Sequence, residues 1–209
     1  MIGIENFAAF LATAFLFIMT PGIDTVFVIN KTIAQGRKPG LYASLGVNSG
    51  ILVHTLLAAL GLSVLVAQSE MAFKVISYLG AAYIIYLGAT QLFPKKQTAT
   101  STGHKKKRIT THSNFMSGFI TNTLNPKVAL FFLAFFPQFI TPTELENPMP
   151  FVVLGLTYAL LGTVWYISLT CFANTFSNKM KSGGKLHQRM QIGSGIIFIA
   201  MGIQIAFSS

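Results

Sequence analysis

Long apolar runs separated by short polar connectors dominate the chain. Six runs stand out, at about 4–30, 41–67, 72–93, 115–140, 150–175 and 190–208. Each is close to or above the ~20 residues an α-helix needs to cross the hydrocarbon of a bilayer. The pattern predicts an all-α integral membrane protein of six transmembrane helices, forming one transmembrane domain over 1–209.

Two runs are interrupted. Residues 17–27 read "FIMTPGIDTVF" and residues 119–132 read "FITNTLNPKVALFF". Each starts Phe-Ile, passes through polar residues into a proline and resumes as an apolar helix. The third and sixth runs also correspond: Gly80 with Gly193 and Gln91 with Gln204, both at a spacing of 113. These matches predict two copies of one unit, repeat 1 at about 1–93 and repeat 2 at about 115–209. A polar, basic loop joins them at about 94–114. Three spans per copy is an odd number, so the second copy is inverted, with helices 1 and 4 broken at Pro21 and Pro126. Paired interruptions in two halves mark a transporter's binding site.

Composition supports the membrane class. The chain has 209 residues, 52% hydrophobic and 10% charged, with mean hydropathy +0.61. Soluble domains carry about 25% charged residues. The single cysteine, Cys171, excludes an intramolecular disulfide. The start, "MIGIENFAAF", lacks the basic n-region of a signal peptide, so the first helix is expected to be retained.

Charge sets the expected orientation. Lys31, Arg37 and Lys38 fall between the first two runs. Lys95, Lys96, Lys105, Lys106, Lys107 and Arg108 fall between the third and fourth, and Lys179, Lys181, Lys185 and Arg189 between the last two. Glu5, Glu70, Glu144 and Glu146 fall on the other side. Basic residues near span ends stay cytoplasmic, so both termini are expected outside. This bias accounts for the net charge of +10 without a nucleic-acid partner, and the basic side is suited to anionic lipid.

The ionisable residues left inside the runs are Asp24, His54 and Lys127, with Lys74 snorkelling from the third. A charge at mid-membrane costs at least ~2.5–3.5 kcal/mol. Either these groups form a buried pair that fixes helix packing, or they line a pathway. A proline frees the carbonyl four residues earlier, and a broken helix exposes a partly positive start and a partly negative end. With Asp24 and Lys127 added, such a site suits both ends of a zwitterion. Asp24 and Lys127 are expected to bridge directly or through water when no substrate is bound.

"PGIDTVFVINKTIAQGRKPGLYASLGVNSGILVH", "LGAAYIIYLGATQL" and "FITNTLNPKVALFFLAFFPQF" together resemble the LysE/RhtB family of bacterial amino-acid exporters over nearly the whole chain. The resemblance implies a six-helix inverted-repeat exporter of amino acids or their relatives in the inner membrane. No cofactor is expected, and one cysteine with one buried carboxylate makes a poor divalent metal site. The family's P-G-P-D-T motif maps to Pro21, Gly22, Ile23, Asp24 and Thr25, with isoleucine replacing the second proline. Its N-P-K motif maps to Asn125, Pro126 and Lys127. These residues are the candidate translocation site, and Asp24 and His54 are candidates for a proton relay.

The amino acid transported is left open. A passive small-solute channel and a metal-ion exporter are the alternatives, and no enzyme motif is present. Gly46 and Gly50 form a G-x-x-x-G, suited to close helix contact within the chain or in a homodimer. Tyr158, Trp165 and Tyr166 read as packing residues, one of them a candidate to line the site.

Cysteines introduced at Ser101 and Ser182 are expected to be shielded from an impermeant thiol reagent in intact cells, and one at Thr143 to be labelled. The reverse pattern would invert the topology.

Overall fold

The computed structural model describes residues 3–62, 69–92, 111–173 and 185–208. Its regular elements are helical; one isolated antiparallel bridge, Ile4 with Ile140, is the β-type pairing among the described residues. The first four helices are α1 (Phe7–Met19), α2 (Ile23–Gln35), α3 (Arg37–Leu57) and α4 (Glu70–Leu92). A π-turn, Ala58–Leu62, extends α3. The second four are α5 (Thr111–Thr123), α6 (Pro126–Phe135), α7 (Pro148–Cys171) and α8 (Lys185–Ser208). Two 3₁₀ turns, Phe136–Phe139 and Pro142–Glu144, lie between α6 and α7.

By length and composition, Arg37–Gly61 and Pro148–Cys171 each suffice to cross a bilayer, and the pairs α1–α2 and α5–α6 each suffice as one bent unit. The bends are 52° and 49°. In α4 and α8 the apolar stretches are shorter, Tyr78–Thr90 and Phe198–Phe207. Among the described residues that gives two to four candidate spans, against the six expected. Residues 94–110 of the basic connector, and Lys179, Lys181 and Ser182, lie outside the described residues, as do the side chains of Gln91 and Gln204.

The helices overrun their apolar runs at the basic ends. Lys31, expected in a connector, lies within α2, where its ammonium donates to Asn114 Oδ1 at 3.2 Å. A helix satisfies its own backbone, so it need not stop where apolar sequence stops. The connector between α2 and α3 shrinks to Gly36, at φ 97° and ψ 175°, a region essentially restricted to glycine.

The breaks follow from the prolines. At the end of α1, the Thr20 N–H bonds to the Leu16 carbonyl at 3.0 Å. Pro21 has no N–H, Gly22 is extended, and α2 starts at Ile23. At the end of α5, the Asn125 N–H closes a tighter turn onto the Asn122 carbonyl at 2.9 Å. Pro126 then occupies the first position of α6, where a missing N–H costs nothing. The Asn125 side chain caps α6 by accepting from the Lys127 N–H at 3.0 Å.

Small residues bring the helices close. A β-carbon on Gly46 would strike the Phe115 carbonyl of α5, and one on Gly118 the Ala43 carbonyl of α3. Gly50 packs on Asn122, so the G-x-x-x-G makes its contact within the chain. Gly155 of α7 packs on Thr55 of α3, while Gly88 of α4 and Gly195 of α8 face each other's backbone.

An aromatic core fills the space between α1 and α6. Phe17 and Phe131 stand 4.1 Å apart by ring centroids, Phe132 and Phe136 4.1 Å, and Phe10 and Phe136 5.6 Å edge to face. Tyr158 of α7 joins at 5.2 Å from Phe131. Outside this core, Leu41, Leu45, Leu52 and Leu56 of α3 and Leu156, Leu160 and Val164 of α7 are exposed. Apolar stripes of this kind suit contact with lipid rather than water.

Gly46→Ala is expected to destabilise the fold by about 1–3 kcal/mol, because the α5 backbone has to give way. That corresponds to a fall of roughly 2–12 °C in thermal unfolding of detergent-purified protein. Gly61→Ala, where a β-carbon meets nothing within 4 Å, is the control; equal effects of the two would refute the packing argument.

Candidate functional site at the paired helix breaks

The two breaks meet. Asp24, in the first turn of α2, is 4% exposed. Its Oδ2 accepts from Asn122 Nδ2 at 2.7 Å and Asn125 Nδ2 at 3.0 Å, both at the end of α5. Its Oδ1 is buried without a hydrogen-bond partner. A buried carboxylate oxygen left bare is costly.

Lys127, at the start of α6, reaches back across the same gap. Its Nζ donates to the carbonyls of Phe17 at 3.1 Å and Thr20 at 3.0 Å, and lies 4.5 Å from the centroid of the Phe17 ring. Phe17 lies four residues before Pro21, so its carbonyl is the one that lost a helical donor. The lysine thus satisfies the negative end of α1.

His54 of α3, 3% exposed, makes the corresponding contact in the other break. Its Nε2 lies 3.0 Å from the Asn122 carbonyl, four residues before Pro126. Asn122 therefore touches His54 through its carbonyl and Asp24 through its amide.

The expected bridge between Asp24 and Lys127 is not formed as a direct ion pair. Two amides reach the carboxylate, and the carbonyls left by the break of α1 hold the ammonium. Asn122 was not among the residues singled out by motif. An amide in an apolar run, four residues before a proline, is the signal that marks it.

A cavity lies between the breaks, walled by Gly22, Asp24, Thr25, Asn125 and Lys127, with Tyr158 and Tyr166 of α7 closing the far side. Both tyrosines, read from sequence mainly as packing residues, are on this wall. Pro21 and Pro126 act through the backbone, and His54 stands behind Asn122. The cavity leaves a water-sized sphere only about 10 Å³ of movement, enough for about one water. Gly22 supplies no side-chain cap to α2, whereas α6 is capped by Asn125. Among the described residues, no group of three or more His, Cys, Asp or Glu side chains comes together to hold a metal.

Residues 15–209 match the family described as LysE type translocator. The chain belongs to this family. It is 33% identical over 212 residues to the "Uncharacterized membrane protein YrhP" of Bacillus subtilis strain 168, covering 98% of this chain and 100% of that one. It is 32% identical to an "Uncharacterized membrane protein" of Vibrio cholerae, covering 97% of each. It is 28% identical to the "Leucine efflux protein" of Enterobacter sp. strain 638, over 98% of this chain and 96% of that one. No solved structure matches it. LysE translocators are membrane transporters rather than enzymes.

Asn125 has two roles that substitution separates. Asn125→Ser retains an N-cap oxygen but cannot reach Asp24, whereas Asn125→Ala loses both contacts. Asn125→Ala is expected to be the less stable of the two by about 0.5–2 kcal/mol, read as a lower midpoint in thermal unfolding. Equal midpoints would show that the cap contributes nothing.

Proposed function

We propose that this chain is a secondary active exporter of amino acids or amino-acid derivatives across the bacterial inner membrane, driven by the proton gradient. The observation that carries the reading is Asp24: a buried carboxylate that lines the cavity, with one oxygen held by two amides and the other without a partner. That cavity lies between the carbonyl end of α1 and the uncapped start of α2. An ammonium group suits the carboxylate and carbonyls, and a carboxylate suits the start of α2. The leucine efflux relatives support the substrate class.

The repeat reading draws support from the order and contacts of the elements. Each half runs bent pair, long helix, long helix. α3 packs on α5 as α7 packs on α1, and α4 packs on α8. On this reading the protein has six spans as two inverted three-helix repeats, both termini periplasmic and the basic ends cytoplasmic. The aromatic core then lies on the periplasmic side of the site and closes it there. The cavity has no room for an amino acid, so loading requires the α1–α2 pair to separate from α5–α6.

Coupling follows from competition for one carboxylate. From the cytoplasm, substrate meets ionised Asp24. On the periplasmic side, a proton taken up by Asp24 removes the negative charge of the site and favours release of the ammonium. His54, which stands against Asn122 on the other side from Asp24, is the second candidate for the proton relay, with water carrying the proton between them.

Counterflow in proteoliposomes with a panel of amino acids, leucine first, tests the reading. Saturable exchange is expected; flux that never saturates would favour the channel. Asp24→Asn is expected to reach the membrane at normal levels and to lower exchange by about 10- to 100-fold, the worth of a charge-assisted hydrogen bond. Normal exchange by that variant would remove Asp24 from the site.

A further inference from the structure

We propose that Lys127 is a tethered substitute for the substrate's ammonium, and that the carbonyls of Phe17 and Thr20 with the Phe17 ring form the substrate-ammonium subsite. This rests on the exporter reading and names where the ammonium goes. The lysine side chain ends in a primary ammonium, R–NH₃⁺, with three N–H donors and no acceptor. The α-ammonium of an amino acid is the same group. Two donors of Lys127 are engaged by the two carbonyls, at 3.1 and 3.0 Å, and its charge stands over an aromatic face at 4.5 Å. That distance is well inside the ~6 Å over which a ring attracts a cation.

The acceptors and the cation come from different halves. The carbonyls belong to α1, and Lys127 belongs to α6. The lysine side chain also lies along Gly22, with its Nζ 3.5 Å from where a β-carbon would stand, and it lines the cavity. A substrate ammonium entering that cavity meets acceptors already holding an ammonium. By taking them, it releases Lys127 from α1. The freed lysine finds two anions: Asp24, which lines the same cavity and has one oxygen without a partner, and the substrate's own carboxylate. The exchange keeps the number of charges facing acceptors unchanged while breaking a contact between the halves. Loading is thereby coupled to release of α1 from α6, because the two states differ in their contacts.

Carbonyl oxygens need N–H donors, so the subsite selects for donors as well as for positive charge. That separates this assignment from simple attraction to Asp24, which any cation satisfies.

The test uses detergent-purified full-length protein with Lys127→Ala, in which the subsite has lost its resident ammonium. Methylammonium chloride is expected to raise the unfolding midpoint of the variant by about 2–4 °C and to leave the wild type unchanged. Tetramethylammonium chloride, with no N–H, is expected to raise neither midpoint. No rise with methylammonium, or an equal rise with both salts, overturns the assignment.

If Lys127→Ala does not accumulate, the wild type decides. N-Methyl-leucine retains two donors and N,N,N-trimethyl-leucine none, so the trimethyl form is expected to exchange at least about tenfold less well than the monomethyl form, the worth of one lost charged hydrogen bond. Equal exchange of the two overturns the assignment. A wild type that exchanges no amino acid counts against the exporter reading, and the methylammonium result then judges the subsite by itself.

Discussion

Backbone carbonyls in hydrocarbon must find a donor, and this constraint organises the centre of the molecule. Pro21 and Pro126 each remove an N–H, so the carbonyls of Phe17 and Asn122 lose the donor four residues on, and Asn122 keeps only the tighter bond from the Asn125 N–H. Each is met by a nitrogen from the opposite half: Lys127 Nζ for Phe17, and His54 Nε2 for Asn122. The groups that break the helices therefore also tie the halves together. Asp24 completes the arrangement by accepting from the two asparagines at the second break.

Much of this was legible in the sequence because the signals are local. A proline in an apolar run predicts which carbonyl is freed, and Phe17 is the residue that such counting identifies. The matched interruptions brought Asp24 and Lys127 into one site, and both line one cavity. Their partners were not legible, because a charge chooses among acceptors only once the helices are packed. Motifs expected Lys127 to bridge to Asp24; the carbonyl end of α1 takes it instead. Asn122 escaped notice for a related reason, since its two contacts join residues 68 and 98 positions away. The repeated glycines also diverge once packed: Gly80 packs against Ala134, while a β-carbon on Gly193 meets open space.

Packing between the long helices depends on the absence of side chains more than on their fit. Where lipid is as apolar as leucine, burying leucine gains little, and close approach of backbones becomes the main source of attraction. The glycine contacts of α3 with α5, and of α4 with α8, fit that regime. The large aromatics concentrate beside the breaks, between α1, α6 and α7, and surround the narrow cavity that Asp24 and Lys127 line. Lower local dielectric strengthens every polar contact there. The same rings thus make the site both closed and electrostatically strong.

The single-residue turn at Gly36 bears on how the chain enters the membrane during synthesis. Two helices joined by one residue cannot be threaded separately, since the first leaves no slack for the second to form elsewhere. α2 and α3 must partition into the bilayer as a hairpin, with Gly36 at its tip. Lys31 lies one turn before that tip, and Arg37 and Lys38 immediately follow it. Dragging three cations across hydrocarbon is far costlier than leaving them behind, so the hairpin is anchored from the moment it forms.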